Sequence, residues 1–270
     1  MPLLVAVLLG IVEGITEYLP VSSTGHLVLV GHLLGLRDND PAVSSFEIVI
    51  QLGAMLAVVA HYRVLLEQRL RGLFTRDRAS IQLLVALLIG FAPAAVTGLL
   101  LHKAIKERLF GPYPVAAALI VGGVAMIVVE RLRARAGAKG EDGLERVTPK
   151  RALIIGLGQC ASLWPGMSRS MSTIVAAQLT GLSTATAAEF SFLLALPVLG
   201  AATVYEGYKA RHALMSDVGM ASLGVGLVVS FFVAWGVIAT FITYLKKRGL
   251  EPFGWYRIVL GAVVLWILAR

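Results

Sequence analysis

Long uncharged segments constrain the fold of this chain more than any other feature of its sequence. Segments that lack Asp, Glu, Lys and Arg recur along the chain, and they include residues 48–62, 79–102, 109–129, 152–168, 170–188, 190–205, 218–245 and 258–269. With their flanking residues, they approach the roughly 20 residues that a helix needs to cross about 30 Å of hydrocarbon. They are continuously apolar, whereas the strands of a membrane β-barrel alternate in polarity. Because 57% of the 270 residues are hydrophobic and only 15% are charged, we predict an all-α polytopic membrane protein.

The basic residues indicate orientation in a membrane rather than nucleic-acid binding. The net charge of +8 is carried by short loops and forms no basic stripe, so we expect no nucleic-acid partner. Fifteen Lys and Arg residues fall in 62–82, 131–151 and 245–256, against seven on the opposite side, which include Arg37 and Arg270. The positive-inside rule then predicts that both termini lie outside the cytoplasm. A scheme of eight simple spans divides the charges in the same way as a scheme of two re-entrant hairpins and six spans, so the charges do not distinguish the two schemes.

Two parts of the sequence resemble each other at an offset of 146 residues. Residues 9–36 read LGIVEGITEYLPVSSTGHLVLVGHLLGL, and residues 155–182 read IGLGQCASLWPGMSRSMSTIVAAQLTGL. The matched pairs are Gly10 with Gly156, Glu13 with Gln159, Tyr18 with Trp164, Ser22 with Ser168, Thr24 with Ser170 and Gly35 with Gly181. Several matches in the same order indicate a duplication. We therefore expect one membrane domain with a first repeat over 1–130, a linker over 131–151 and a second repeat over 152–270.

Two apolar segments are interrupted in their middle. Residues 3–34 and 152–182 are each too long for one span, and each contains a stretch rich in Pro, Ser and Gly. Non-helical backbone at membrane depth is tolerated only where protein or a water-filled cavity satisfies its polar groups. Paired interruptions in corresponding halves point to a binding site near the membrane midplane. We predict a re-entrant helical hairpin in each repeat, followed by three transmembrane helices, and the odd number of crossings makes the repeats inverted.

An acidic pair precedes the first interruption. Glu13 and Glu17 are four residues apart, which places both carboxylates on one face of a helix. Ionised groups at this depth are costly, and two like charges repel unless a cation lies between them. Mg²⁺ suits one or two carboxylates combined with phosphate oxygens. The pair predicts a metal site, and the alternative is that both acids lie at an aqueous rim or bind local donors.

Hydroxyl groups and an imidazole follow the helix-breaking Pro20. A serine beside a base can act as a nucleophile, and a histidine can donate a proton to a leaving group. Serine and threonine also serve as ordinary N-caps of helices, so a structural role stays open for each hydroxyl. The candidates in this stretch are Ser22, Ser23, Thr24 and His26.

The second interruption contains Arg169, which is the only charged residue over 152–188. A planar guanidinium is suited to bidentate binding of phosphate, and the start of a helix offers further N–H donors. The alternative is that Arg169 merely pairs with Glu13 or Glu17. Hydroxyl groups that would bind the same phosphate come from Ser168, Ser170 and Thr173. Together the two stretches predict metal-assisted phosphoryl transfer on a lipid-borne phosphate.

Four motifs carry a resemblance that extends over essentially the whole chain. They are EGITEYLPVSSTGH (13–26), FEIVIQLGAMLAVV (46–59), PGMSRSMST (165–173) and EFSFLL (189–194). The chain resembles the bacterial undecaprenyl-diphosphate phosphatase family, also called bacitracin-resistance proteins. The resemblance implies hydrolysis of undecaprenyl diphosphate to undecaprenyl phosphate and inorganic phosphate, which recycles the carrier lipid of peptidoglycan synthesis. It also implies a location in the bacterial plasma membrane, a requirement for Mg²⁺ or Ca²⁺ and a site that opens to the extracytoplasmic face.

The motifs also imply roles for individual residues. The family's E-x-x-x-E motif falls on Glu13 and Glu17, which would hold the metal, with Glu17 also a candidate base. Ser23 is the expected nucleophile, with attack by water as the open alternative, and His26 would act as acid or orienting group. Ser22 and Thr24 are expected to contact substrate. The P-G-x-S-R-S motif falls on 165–170, so that Arg169, Ser168, Ser170 and the following Thr173 would bind phosphate.

Two other functions compete with this hypothesis. A lipid-phosphate transporter or flippase also uses inverted repeats with broken helices. A lipid phosphate phosphatase of the other membrane type would follow Ser168-Arg169 with five residues and then His, where the sequence has Val175, so it is disfavoured. The sequence leaves open whether the chain forms a homodimer.

Overall fold

The computed structural model of this chain describes residues 1–36, 41–109, 111–213 and 218–269. Its helices are α1 (Leu3–Thr16), α2 (Ser23–Leu33), α3 (Pro41–His61), α4 (Arg63–Phe74), α5 (Arg78–Leu109), α6 (Pro112–Arg135), α7 (Pro149–Gln159), α8 (Arg169–Leu179), α9 (Thr184–Ala213), α10 (Met220–Leu245) and α11 (Glu251–Leu268). Short 3₁₀-helices occupy Leu144–Arg146 and Cys160–Leu163. The described residues contain no β-strand, and a single isolated bridge joins Glu141 to Leu182. The prediction of an all-α chain is confirmed for these residues.

Six of the described helices are long and apolar enough to cross a membrane, judged by length and composition. The qualifying stretches are Val43–His61, Arg78–Leu101, Pro112–Arg135, Thr184–Ala201, Met220–Leu245 and Glu251–Leu268. They correspond to the six simple spans expected from the sequence, and the chain is accordingly a multi-pass membrane protein. Its orientation stays a prediction, and two of the charges behind that prediction, Arg37 and Arg270, lie outside the described residues.

The two interrupted segments are each divided into a pair of short helices. The first break, residues 17–22, separates α1 from α2, and the second break, residues 160–168, separates α7 from α8. These helices contain 14, 11, 11 and 11 residues, so at about 1.5 Å per residue none spans about 30 Å of hydrocarbon. Gly35 follows α2 with φ of 70° and Gly181 follows α8 with φ of 94°, the left-handed conformation that commonly ends helices. The interruptions lie where they were predicted, whereas their re-entrant path stays a prediction.

The chain forms two compact units. The first unit comprises Met1–Leu19, His26–Arg63 and Ala195–Phe241, and the second comprises Pro20–Gly25, Val64–Leu194 and Ile242–Arg270. Each unit combines residues from both predicted repeats, because contacts between distant parts of the chain hold each one together. The repeat and linker boundaries therefore stay predictions of the sequence.

Glycines bring helix backbones together in the first unit. A Cβ on Gly10 of α1 would lie 2.9 Å from the Gly226 carbonyl oxygen of α10, and one on Gly14 would lie 2.8 Å from Val233 Cβ. Close packing through small residues is a usual way for membrane helices to associate. At the end of this contact, the Tyr18 hydroxyl donates to a carbonyl of α3 over 3.0 Å.

The second unit uses the same device between α6 and α11. A Cβ on Gly123 would lie 2.6 Å from the Gly254 carbonyl oxygen, and one on Gly261 would lie 2.8 Å from the Ala116 carbonyl oxygen. In the same unit a Cβ on Gly156 of α7 would lie 2.6 Å from a carbonyl oxygen of α5. These contacts bring the backbone of α6 close to that of α11, and the backbone of α5 close to that of α7. Little volume remains at these places for larger side chains.

Candidate active site

The two breaks end in the same local backbone geometry. Ser22 has φ of 75° and Ser168 has φ of 73°, a left-handed conformation that non-glycine residues rarely adopt. The Ser22 Oγ accepts from the Gly25 N–H at 3.3 Å, and the Ser168 Oγ accepts from the Met171 N–H at 3.3 Å. Each serine therefore caps the helix that follows it. Both the angles and the caps occur at positions that are 146 residues apart.

Arg169 and its hydroxyl neighbours form a cluster at the start of α8. Arg169 Nη1 donates to the Ser191 carbonyl oxygen over 3.0 Å. Ser168 Oγ and Ser170 Oγ share a hydrogen bond of 3.1 Å, and Thr173 Oγ1 and Ser191 Oγ share one of 2.6 Å. The predicted phosphate-binding residues are thus brought together, along with Ser191, which the sequence analysis did not predict.

Members of this cluster differ in their access to a ligand. Ser168 and Arg169 are partly exposed, whereas Ser170 and Thr173 are fully buried. The Thr173 hydroxyl also donates to the Arg169 carbonyl oxygen over 2.9 Å. Through Ser191 and Arg169, Thr173 stabilises the start of α8, and its predicted contact with phosphate stays a prediction.

The hydroxyl run of the first break lies in the same compact unit as this cluster. Along the run, Ser22 is buried, Ser23 is partly exposed and Thr24 is exposed. Ser23 begins α2, so its side chain is held by helical backbone immediately after the capping serine. Ser23 and Thr24 both combine helical backbone with access from outside, which a nucleophile requires, and the choice of Ser23 stays a prediction of the family motif.

Arg257 connects the two breaks and was not predicted as a site residue. Its Nη1 donates to the Pro20 carbonyl oxygen over 3.2 Å, and its Nη2 donates to the Gly166 carbonyl oxygen over 2.9 Å. Two further bonds go to carbonyl oxygens of α6, from Nη2 to Ala118 at 3.1 Å and from Nε to Leu119 at 3.3 Å. A lone arginine inside an apolar helix was the available signal, because ionisable residues at such positions usually have a function.

The remaining candidates belong to the first unit. Glu13 and Glu17 are both buried, and the Glu17 N–H donates to the Glu13 carbonyl oxygen over 2.9 Å, which keeps the helical spacing. Two carboxylates provide hard oxygen donors that fit Mg²⁺ or Ca²⁺, with further ligands due from phosphate and water. The described residues contain no group of three or more His, Cys, Asp and Glu side chains placed for a metal. His26, on α2, is partly exposed.

Comparison with known proteins identifies the family. The family model described as Bacitracin resistance protein BacA matches residues 6–263. The chain belongs to the BacA family. The family resemblance drawn from the motifs is thereby confirmed, and the matched residues include every candidate above.

Individual BacA relatives are similar over almost the whole chain. The undecaprenyl-diphosphatase of Sorangium cellulosum is 60% identical over 263 residues, which cover 97% of this chain and 85% of the relative. The undecaprenyl-diphosphatase of Rhizorhabdus wittichii is 46% identical over 271 residues, covering 100% and 99%. That of Thermoanaerobacter pseudethanolicus is 45% identical over 268 residues, covering 99% and 97%.

Proposed function

We propose that this protein is an integral membrane phosphatase that hydrolyses undecaprenyl diphosphate to undecaprenyl phosphate and inorganic phosphate. This reaction recycles the carrier lipid of peptidoglycan synthesis. Full-length similarity to proteins named undecaprenyl-diphosphatase supports the substrate. The observation that carries the mechanism is the Arg257 bridge, which binds the Pro20 and Gly166 carbonyls and so joins the two breaks within one compact unit.

Phosphate binding is assigned to the start of α8. The guanidinium of Arg169 binds non-bridging oxygens of the terminal phosphate and neutralises charge that develops during transfer. Ser168 lies beside it and donates from its hydroxyl. Ser170 and Thr173 hold these two groups in place, and Ser22 and Thr24 contact the substrate from the first break.

Transfer begins with attack on the terminal phosphorus by Ser23 Oγ or by a water molecule. The bond between that phosphorus and the bridging oxygen breaks, and undecaprenyl phosphate leaves with the bonding electrons. The proton of the attacking hydroxyl passes to a base, for which Glu17 is the candidate, and His26 is the candidate acid or orienting group for the leaving oxygen. If Ser23 is the nucleophile, water then hydrolyses the phosphoserine. The roles of Glu17 and His26 rest on their chemistry and on the family motif.

A divalent cation, Mg²⁺ or Ca²⁺, would be held by Glu13 and Glu17. When bound, such an ion supplies electrophilic stabilisation to phosphate oxygens. Both carboxylates are buried and lie one helical turn apart at the end of α1, which suits binding of one ion and would leave them mutually repelling without it.

For the architecture, we propose two inverted repeats, each a re-entrant hairpin followed by three transmembrane helices. The site lies near the midplane and opens to the extracytoplasmic face, and both termini lie on that side. The equal angles and caps of Ser22 and Ser168, the short paired helices and the six long apolar helices support this arrangement.

The test is release of inorganic phosphate from undecaprenyl diphosphate by purified protein in detergent, with and without EDTA. Wild type should release phosphate, EDTA should abolish release, and Glu17→Gln should lower kcat about 10²-fold or more. Glu67→Gln, an exposed acid on α4, is the matched control and should match wild type. Activity that resists EDTA would contradict the metal assignment. Absence of phosphate release from wild type would contradict the function and favour a transporter.

A further inference from the structure

The guanidinium of Arg257 is the largest fully buried charged group in the described part of the chain. Its side chain is 0% exposed, and its bonds go to four main-chain carbonyl oxygens rather than to a carboxylate. Burying a cation without a counter-ion costs free energy that an apolar side chain at the same place would avoid. The arrangement therefore calls for an explanation beyond packing.

The positions of the two acceptors in the breaks supply that explanation. Pro20 and Gly166 are 146 residues apart, and each lies two residues before the serine with positive φ that ends its break. One guanidinium thus holds equivalent atoms of the two turns. The other two acceptors, Ala118 and Leu119, lie on α6 and fix the guanidinium itself.

We propose that Arg257 is a positioning residue for phosphoryl transfer. By binding the Pro20 and Gly166 carbonyls together, it sets the spacing between the Ser22-Ser23 turn and the Ser168-Arg169 turn. The nucleophile and the phosphate-binding arginine are thereby held in reacting geometry, although Arg257 itself is too deeply buried to contact substrate. This inference rests on the proposed phosphatase function.

The shape of the guanidinium is essential to this role. Its donors diverge in one plane and reach carbonyls on three different elements, whereas a lysine offers a single ammonium group on a flexible stem. A lysine at this position keeps the charge and loses some of the four bonds. Displacements of about 1 Å at a reacting centre can lower a rate about 10²-fold.

A neighbouring glycine offers an independent way to disturb the guanidinium. A Cβ on Gly122 of α6 would collide with Arg257 Nη2 and would lie 2.8 Å from Met171 Cε. We call Arg257 together with its four carbonyl acceptors the clamp. Gly122→Ala therefore displaces the guanidinium of the clamp without removing its charge. Gly236 of α10 has no atom within 4 Å of an added Cβ, so Gly236→Ala is the matched control.

The experiment compares Arg257→Lys and Gly122→Ala with Gly236→Ala and with Arg131→Lys, a change at an exposed arginine paired with Glu251. Three quantities are measured in detergent: kcat and KM for undecaprenyl diphosphate, the melting temperature, and the affinity for orthovanadate as an analogue of the transferring phosphoryl group. We expect both clamp variants to lose about 10²-fold in kcat and at least tenfold in vanadate affinity, with KM within about threefold of wild type. Both controls should match wild type.

The outcomes distinguish failure of the positioning role of Arg257 from failure of the proposed phosphatase function. An inactive wild type contradicts the proposed phosphatase, whereas an active wild type with folded clamp variants of normal kcat and vanadate affinity overturns the positioning role alone. If Arg257→Lys does not fold, Gly122→Ala decides by the same criteria. Failure of both variants to fold assigns Arg257 a purely structural role and overturns the proposal.

Discussion

The first break, between α1 and α2, and the second, between α7 and α8, can be compared residue by residue at the offset of 146. Tyr18 and Trp164 are equivalent, and each donates to a main-chain carbonyl oxygen over 3.0 Å. Ser22 and Ser168 are both left-handed helix caps. The two turns therefore share these hydrogen bonds and helix caps, although the second break is longer and contains the 3₁₀-helix Cys160–Leu163.

Their chemistry differs at the neighbouring positions. Glu13 corresponds to Gln159, so an acid in the first segment is replaced by a neutral amide in the second. Ser23 corresponds to Arg169, so the candidate nucleophile and the candidate phosphate ligand occupy equivalent places. Similar turns thus carry unequal charge, with acids beside the first break and a cation beside the second, and this difference underlies the two tasks proposed for them.

Removing the cation should have the largest effect. Arg169→Ala should lower kcat for phosphate release about 10³-fold, because an interaction with developing charge is lost. Arg169→Lys should fall between Ala and wild type, since charge survives without the planar fork. Normal turnover by Arg169→Ala would contradict the division of tasks between the breaks.

Substitution of Gly166 tests a position at which the residues of the two breaks differ. Its φ is 94°, and an added Cβ would lie 2.5 Å from the Val115 carbonyl oxygen, whereas the equivalent Pro20 carries a Cβ. Gly166→Ala should lower the free energy of unfolding by about 2 kcal/mol or more, from left-handed strain and collision together. Gly137, with φ of 62° and open space around it, is the control for strain alone, so Gly137→Ala should cost about 1 kcal/mol. Equal losses in an unfolding titration would show that the collision with the Val115 carbonyl oxygen contributes nothing to the stability loss.

Substitution of the capping serines tests the N-cap hydrogen bond that the two breaks share. Ser22→Ala and Ser168→Ala should each lower the free energy of unfolding by about 1 kcal/mol, because each removes an equivalent N-cap bond. Unfolding in denaturing detergent measures both values side by side. A loss confined to one variant would show that the matching geometry does not carry matching energies.

The smallest effect is expected at the linker, which is attached to the second broken segment. Glu141 exchanges main-chain bonds with Gly181 and Ser183, and its carboxylate accepts from Arg151. The Arg151 guanidinium holds the pKa of Glu141 below its usual value of 4.5. A lowered pKa in the folded state means that this stabilisation is present above pH 4.5 and is lost as pH falls through the lowered value. Glu141→Gln should remove that small pH dependence from melting curves, and an unchanged acid slope would exclude this ion pair as its source.

Local sequence patterns predicted the spans, the two breaks and the residues of the α8 cluster, because hydropathy and proline placement act over a few residues. Arg257 was missed because its role depends on carbonyls at Pro20 and Gly166, which are far away in the chain. Ser191 was missed because its partners, Arg169 and Thr173, are also distant in the chain. A serine on an apolar helix does not by itself predict a site. The left-handed angles of Ser22 and Ser168 also lacked a signal, because glycine rather than serine usually marks that conformation.

The place of Arg257 in the last described helix has a consequence for synthesis of the protein. A ribosome delivers both breaks, and every motif residue, before it delivers the arginine that joins them. Assembly of the reacting geometry should therefore follow insertion of the earlier helices. Nascent chains arrested before residue 257 should keep the two turns sensitive to protease, and extension through α11 should protect both at once.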